Sequence, residues 1–134
     1  MRLRSVYKVT DAARHLYRLL QERTEAVNIS HRVVPAWSAH ARFVKSRPYA
    51  AWYLVEVGDE ITGAIYLSRA NEIGIFLFRD YQGRGLGREA VQLLMQRHPR
   101  KQFLANVNPL NKNSIEMFEA LGFRHLQNTY EYID

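Results

Sequence analysis

The sequence predicts an α/β domain of the α+β kind, with helices flanking a mixed central sheet of about six to seven strands. Three observations predict it. Along the 134 residues, apolar positions recur at every second residue in some runs and every third or fourth in others. Three strand-like runs stand in close order between residues 50 and 78, as an antiparallel meander requires. No repeat, low-complexity tract or interdomain linker breaks the pattern, so residues 1–134 read as one domain.

Each element has its own signal. "LRSVYKVT" (3–10) alternates loosely through Leu3, Ser5, Tyr7 and Val9 and predicts a first strand. Asp11 is a helix cap, and "DAARHLYRLLQERTE" places Ala12, Leu16, Leu19 and Leu20 on one face. "NISHRVV" reads as a loop, after which Pro35 can open a second helix, "PAWSAHARFVKS", that ends before Pro48. "AAWYLVEV" and "EITGAIYLSR" flank Gly58-Asp59 as a hairpin, and "NEIGIFLF" follows across Arg69-Ala70. A glycine-rich stretch opens a helix running to about His98. "QFLANVN" is a further strand, "NSIEMFEAL" a further helix, and Gly122 its stop. "FRHLQNTYEYI" predicts two short closing strands around Gln127-Asn128.

Composition excludes several classes. A chain of 134 residues buries roughly two-thirds of its unfolded surface. No apolar run approaches the ~18–20 residues that span a bilayer, and "MRLRSVYKVTDAARHL" has no apolar signal core. With no cysteine, disulfides, thiolate catalysis and Cys-based zinc sites are excluded, and an intracellular, cytoplasmic location is compatible. His31 and His40 have no metal-motif spacing, and no metal is expected. The formal charge of +6 suits a phosphate-bearing ligand or an acidic surface. It is scattered along the chain, without a clustered Lys/Arg helix or an aromatic RNA-binding motif, which argues against nucleic acid.

The chemistry-bearing stretch is "FLFRDYQGRGLGREAVQLLMQ", Phe76 to Gln96. Gly83, Gly85 and Gly87 stand where a strand gives way to a helix. A helix start exposes N–H groups without intrahelical partners, and the helix dipole favours an anion there. Glycines let a phosphate approach the backbone and permit positive φ, while Gln82 and Arg84 add donors. A flexible turn with a close helix–strand contact would account for the same glycines. The G-x-G-x-G spacing is neither the dinucleotide fingerprint nor a Walker loop.

Gln82-Gly83-Arg84-Gly85-Leu86-Gly87 resembles the Q/R-x-x-G-x-G/A signature of the GCN5-related N-acetyltransferases, the GNAT superfamily. "NVNPLNKNSIEMFEALGF" is similar to that family's later segment through Asn111, Ser114, Phe118, Gly122 and Phe123. The resemblance implies a GNAT-like sheet splayed between its fourth and fifth strands and acetyl-CoA as co-substrate. It implies direct transfer of acetyl to a primary amine through a tetrahedral intermediate, with pantetheine pairing along the fourth strand. Carried over, the backbone of Phe76 and Phe78 would bond pantetheine, and an N–H near Leu77 would polarise the thioester carbonyl. Residues 83–88, Gly83 through Arg88, would hold the pyrophosphate, and Asn111 would contact the pantetheine arm or the end of the fifth strand.

The resemblance also frames the proton transfers. Many relatives carry tyrosine at the position of Phe118, where the hydroxyl protonates the departing thiolate; phenylalanine leaves only packing, under the cofactor or in the core. Ser114 is the alternative acid, with helix capping as its rival role; Tyr130 and water are further routes. Glu72 is the favoured general base and Glu56 the second candidate, either one acting through a water chain. Asn113 is expected either as a helix cap or as a ligand contact, and one of Asn106 and Asn108 either faces the cofactor or is solvated. His31 and His40, around Trp37, either line the acceptor site or belong to a surface helix with a buried tryptophan. The missing tyrosine leaves a non-catalytic CoA-binding sensor as the rival to an enzyme. "ISHRVVPAWSAHARFV" resembles relatives that acetylate amino-sugar nucleotides, with other small amines or peptide N-termini as alternative acceptors. The sequence carries no signal for oligomeric state or for a membrane.

Overall fold

A computed structural model describes residues 1–27 and 33–134, with the backbone alone for 24–27. The strands are β1 (Arg2–Ser5), β2 (Ala51–Val57), β3 (Glu60–Leu67), β4 (Glu72–Leu77) and β5 (Leu104–Ala105). The helices are α1 (Ala12–Val27), α2 (Trp37–Lys45), α3 (Leu86–Arg97) and α4 (Lys112–Ala120). The strands lie in sequence order in one sheet, antiparallel from β1 to β4, with β5 parallel to β4.

Strand alternation splits the core in two. Val55, Ile65, Leu67 and Ile73 face α3 and α4, where they meet Ala90, Val91, Leu94 and Phe118. Trp52, Leu54, Ala64 and Phe78 face α1 and α2, where they meet Leu16, Leu19 and Val44. The sheet is therefore buried on both faces, and functional groups are left to its ends and to the edge of β4.

Five strands form among the described residues, fewer than the six to seven expected. The first is cut short because Val6–Lys8 turns into a 3-10 helix opened by Ser5, whose side chain accepts from Tyr7 N–H. "QFLANVN" contributes only two paired residues. The expected closing strands do not form. Gly122 (φ 97°) ends α4, with Phe123 N–H bonded to the Phe118 carbonyl at 2.9 Å and Gly122 N–H to that of Glu119 at 3.0 Å. Beyond that cap the chain has no regular structure, and Tyr130 is 90% exposed, so it is not folded inward as a proton donor.

Candidate functional site

The site begins at the edge of β4. β5 pairs only with its first two residues, Glu72↔Leu104 and Ile73↔Ala105, so no described strand covers that edge of β4 from Gly74 to Leu77. The backbone directions on β4 follow from its other partner. Ser68 N–H donates to the Glu72 carbonyl (2.8 Å) and Phe78 N–H to the Thr62 carbonyl (2.9 Å). Residues bonded to one neighbour alternate in an antiparallel ladder, so Gly74 and Phe76 also face β3. Ile75 and Leu77 face the open edge, on the side where Leu104 N–H reaches the Asn71 carbonyl (2.9 Å). This corrects the expectation for Phe76 and Phe78: their backbone groups belong to the β3 side, and those of Ile75 and Leu77 take their place at the gap.

The side chains of Phe76 and Phe78 do other things. Phe78 is buried beneath α1, and Phe76 lines a cavity with the Arg23 guanidinium 3.4 Å above its ring.

β4 leads through a 3-10 turn, Arg79–Tyr81, into the glycine loop. Gln82 folds back so that its Nε2 donates to the Leu77 carbonyl at 3.1 Å. Gly83 (φ 76°) and Gly85 (φ 77°) are left-handed, and a Cβ on either would meet nothing within 4 Å. That open space lies directly over the start of α3, whose cap residue Gly85 supplies no side-chain bond to the first turn. Gly87 has a different purpose. It is buried, and a Cβ there would stand 3.1 Å from Met117 Sδ, so it lets α3 approach α4. Leu86 is half-buried behind the loop, while Arg84 and Arg88 are exposed, with Arg84 5.6 Å from the Tyr81 ring centroid. Tyr81 in turn bonds Glu60.

Glu72 sits at the far end of β4, roughly 16 Å from Leu77 at ~3.3 Å per residue. Ser68 Oγ donates to one carboxylate oxygen at 3.2 Å and Asn106 Nδ2 to the other, so the carboxylate is held across the base of the gap. Glu56 is elsewhere, near the C-terminal end of β2 and opposite Arg2 of β1, where Arg2 (2.6 Å) and Arg4 (2.8 Å) grip it. Arg4 foremost, then Arg2, hold its carboxyl below the usual range.

Asn111, not Asn113, caps α4, its Oδ1 accepting from Ser114 N–H at 3.2 Å. The Ser114 side chain is thereby relieved of the capping role and stands half-buried in the first turn. Phe118 packs in the core edge-to-face on Phe123, with ring centroids 5.1 Å apart. Asn108 is engaged in its own turn, accepting from Leu110 N–H at 2.9 Å.

On the α1/α2 face a cavity of about 390 Å³ opens between the helices and the sheet. Its walls include Leu16, Phe43, Tyr49, Trp52, Tyr66 and Phe76, with Arg23 and His40 as polar members. Tyr49 and Tyr66 stack at 3.9 Å with 3° between planes, and burial pushes both phenols up. His40 is buried with Nε2 3.3 Å from the Ala13 carbonyl; desolvation lowers its pKa, and that hydrogen bond partly opposes the shift. Trp37 is 41% exposed rather than buried, and His31 lies outside the described residues. Sequence reasoning missed this aromatic wall. Its signal was the cross-strand pairing that puts Trp52 beside Tyr66 and Ala64 beside Phe76 on one face.

A five-stranded mixed sheet covered on both faces, and open beside β4 ahead of a glycine-framed helix start, places the chain in an α/β class shared with acyltransferases. The chain belongs to the acetyltransferase (GNAT) family: the family model matches residues 13–123. Membership makes it an acetyl-CoA-dependent N-acetyltransferase. Solved structures share the fold. An acetyltransferase from Thermus thermophilus superposes with a TM-score of 0.70 at 23% identity, covering 95% of this chain and 88% of that one. A ribosomal-protein-alanine N-acetyltransferase from Brucella melitensis gives 0.70 at 16% identity, covering 95% and 86%. The microcin C7 self-immunity acetyltransferase MccE, solved with acetyl-CoA and AMP, gives 0.63 at 20% identity, covering 87% and 76%. No curated protein sequence matches the chain.

Proposed function

We propose that the chain is a single catalytic domain, working in the cytoplasm, that transfers acetyl from acetyl-CoA directly to the primary amine of a small acceptor. One observation carries this reading: the uncovered edge of β4 runs straight into a helix start framed by Gly83 and Gly85. The residues fit the cofactor. Ile75 and Leu77 offer backbone groups to a pantetheine arm laid along the edge like an added strand. The N–H groups of residues 83–88, helped by Gln82, Arg84 and Arg88, suit a pyrophosphate. When bound, acetyl-CoA supplies the activated thioester.

The protein's own groups then divide the work. Leu77 N–H polarises the thioester carbonyl; losing such a donor typically costs ~3 kcal/mol at the transition state. Glu72, held at the base of the gap by Ser68 and Asn106, takes the acceptor's proton along a chain of several waters that bridges its distance from Leu77. Ser114, whose capping role falls to Asn111, returns a proton to the thiolate. Asn111 and Phe118 support the site from α4 and the core rather than by direct reaction. A small amine, with an amino-sugar nucleotide as the leading class and a peptide N-terminus as the alternative, suits the aromatic cavity of about 390 Å³ beside Phe76.

Gly85→Val tests the reading. Valine is strained at φ 77° and would project into the open space above α3. Calorimetry should show CoA affinity falling at least tenfold with the circular dichroism unchanged. Wild-type protein that binds no CoA, or a variant that binds it as tightly, would refute the proposal.

A further inference from the structure

The aromatic cavity has a neighbour. A larger groove of about 880 Å³ shares Tyr49 and Trp52 with it, so the two spaces adjoin at those residues. The groove is strongly basic: Arg4, Lys8, Arg47, Arg69 and Arg97 line it, and none of its described lining residues is acidic. Several of these cations are braced. Arg69 donates to the Arg47 and Pro48 carbonyls (3.0 and 2.8 Å), the Arg47 guanidinium lies 4.0 Å from the Tyr7 ring centroid, and Arg97 donates to the Leu3 carbonyl (3.0 Å). Arg4 is partly neutralised by Glu56, and the remaining positive charge faces solvent.

The groove is not the cofactor's phosphate site. It lies where β3 ends and α3 finishes, whereas the glycine loop lies at the opposite end of α3. Twelve helical residues separate the two, roughly 18 Å at ~1.5 Å per residue. Two anion-favouring regions thus stand at opposite ends of the sheet, with the apolar cavity and the β4 edge between them.

Resting on the acetyl-transfer reading, we infer that the acceptor carries its amine on a compact body whose apolar face packs on the rings of the aromatic cavity, and a phosphate-bearing tail that lies in the basic groove. The rings of Phe43, Tyr49, Trp52, Tyr66 and Phe76 in the cavity wall suit the C–H face of such a body. A polyamine or aminoglycoside would bring further positive charge against Arg23, Arg47 and Arg69, which costs affinity and slows encounter. A phosphate or diphosphate tail reverses both effects, because arginine pairs with its oxygens through charge-assisted bonds.

The test uses UDP as the tail probe, titrated calorimetrically into protein saturated with CoA so that the glycine loop is blocked. One UDP should bind, and Arg47→Glu and the exposed Lys8→Glu should each weaken it at least tenfold, with CoA affinity within twofold of wild type. In the kinetic arm, UDP-glucosamine should have a KM at least tenfold below that of glucosamine, an advantage that shrinks at high salt. The inference is overturned if CoA-saturated protein does not bind UDP or if both variants bind it normally. It is equally overturned if glucosamine or spermidine matches the tailed amine, or if a single-stranded oligonucleotide outcompetes UDP with the same variant dependence. Protein that binds no CoA would instead sink the acetyl-transfer reading, and the UDP titration would still score the groove.

Discussion

Gly74→Ala is the smallest change that should damage the acceptor cavity while sparing the cofactor edge. A Cβ at position 74 would stand 2.2 Å from Cε2 and Cζ of Tyr66 and 2.6 Å from its hydroxyl oxygen. Ordinary carbon contacts lie at ~3.5–4.0 Å, so the ring must move by more than about 1 Å. It cannot slide freely, because Tyr49 stacks on it at 3.9 Å. Overpacking of this kind costs about 1–3 kcal/mol and a lost aromatic pair about 0.5–1.5 kcal/mol, while alanine regains about 0.5–1 kcal/mol of backbone entropy over glycine. The sum is a loss of about 2 kcal/mol. Urea unfolding should show it as a lower midpoint at unchanged slope. Acceptor KM should rise while CoA affinity stays within twofold, since Gly74 bonds toward β3 and not toward the gap. In a Tyr66→Leu background the same alanine should be nearly harmless, as expected when two residues share one contact. A Gly74→Ala protein as stable as wild type, with unchanged acceptor KM, would refute the account of that wall.

Ser114→Ala should lower kcat by about 10²–10⁴-fold with CoA affinity and stability nearly unchanged, because Asn111 supplies the cap; an unchanged kcat at saturating substrate removes Ser114 from the mechanism. Phe118→Tyr should destabilise by about 1–3 kcal/mol, since its hydroxyl would enter a core formed with Val91 and Leu94, and should not raise kcat; a faster, equally stable variant would restore the ring to the proton route. Glu56 has a folded pKa held down by Arg4 and Arg2 from an ordinary value of 4.5, so its ion pairs stabilise fully above that value and fail as pH falls through the lower folded one. Glu56→Gln should therefore flatten the loss of stability between about pH 5 and pH 3, and an acid limb identical to wild type would contradict the pairing.

The middle of the sheet was legible because its signals are local. Alternation in "AAWYLVEV" and "EITGAIYLSR", with Gly58-Asp59 between them, places β2 and β3 within two residues of where they form. The glycine loop was legible for the same reason, since a strand run and a helix run abut it. What failed depended on partners. "QFLANVN" has the composition of a full strand but pairs only where β4 begins. "FRHLQNTYEYI" has a strand-like pattern, yet Phe123 is drawn back onto Phe118 and the residues beyond it join no sheet edge. Three glycines that look equivalent in sequence serve two purposes, since only Gly83 and Gly85 are left-handed and exposed. The choice of Asn111 over Asn113 as cap turns on a two-residue difference in where α4 starts, which spacing alone does not resolve.

The error at Phe76 and Phe78 is the instructive one, because it is an error of parity. On β4 the even residues bond to β3 and turn their side chains to the α1/α2 face, while the odd residues bond toward the gap and turn theirs to the α3/α4 core. A shift of one residue exchanges both properties at once. The same alternation separates two tasks on one strand. Ile75 and Leu77 can present backbone to an extended ligand while their side chains pack against core residues, so that edge is set by the fold rather than by exposed side-chain chemistry. Phe76 lines the proposed acceptor cavity and Gly74 leaves room there for the Tyr66 ring, while the backbone of both bonds toward β3. On the proposed reading, acceptor preference can therefore change through the even positions, and through Tyr49, Trp52 and Tyr66 beside them, with the proposed cofactor edge left intact. On the proposed reading, that independence is why a shared fold at low identity says so little about the acceptor, and the cavity with its basic groove is where the proposal can be tested.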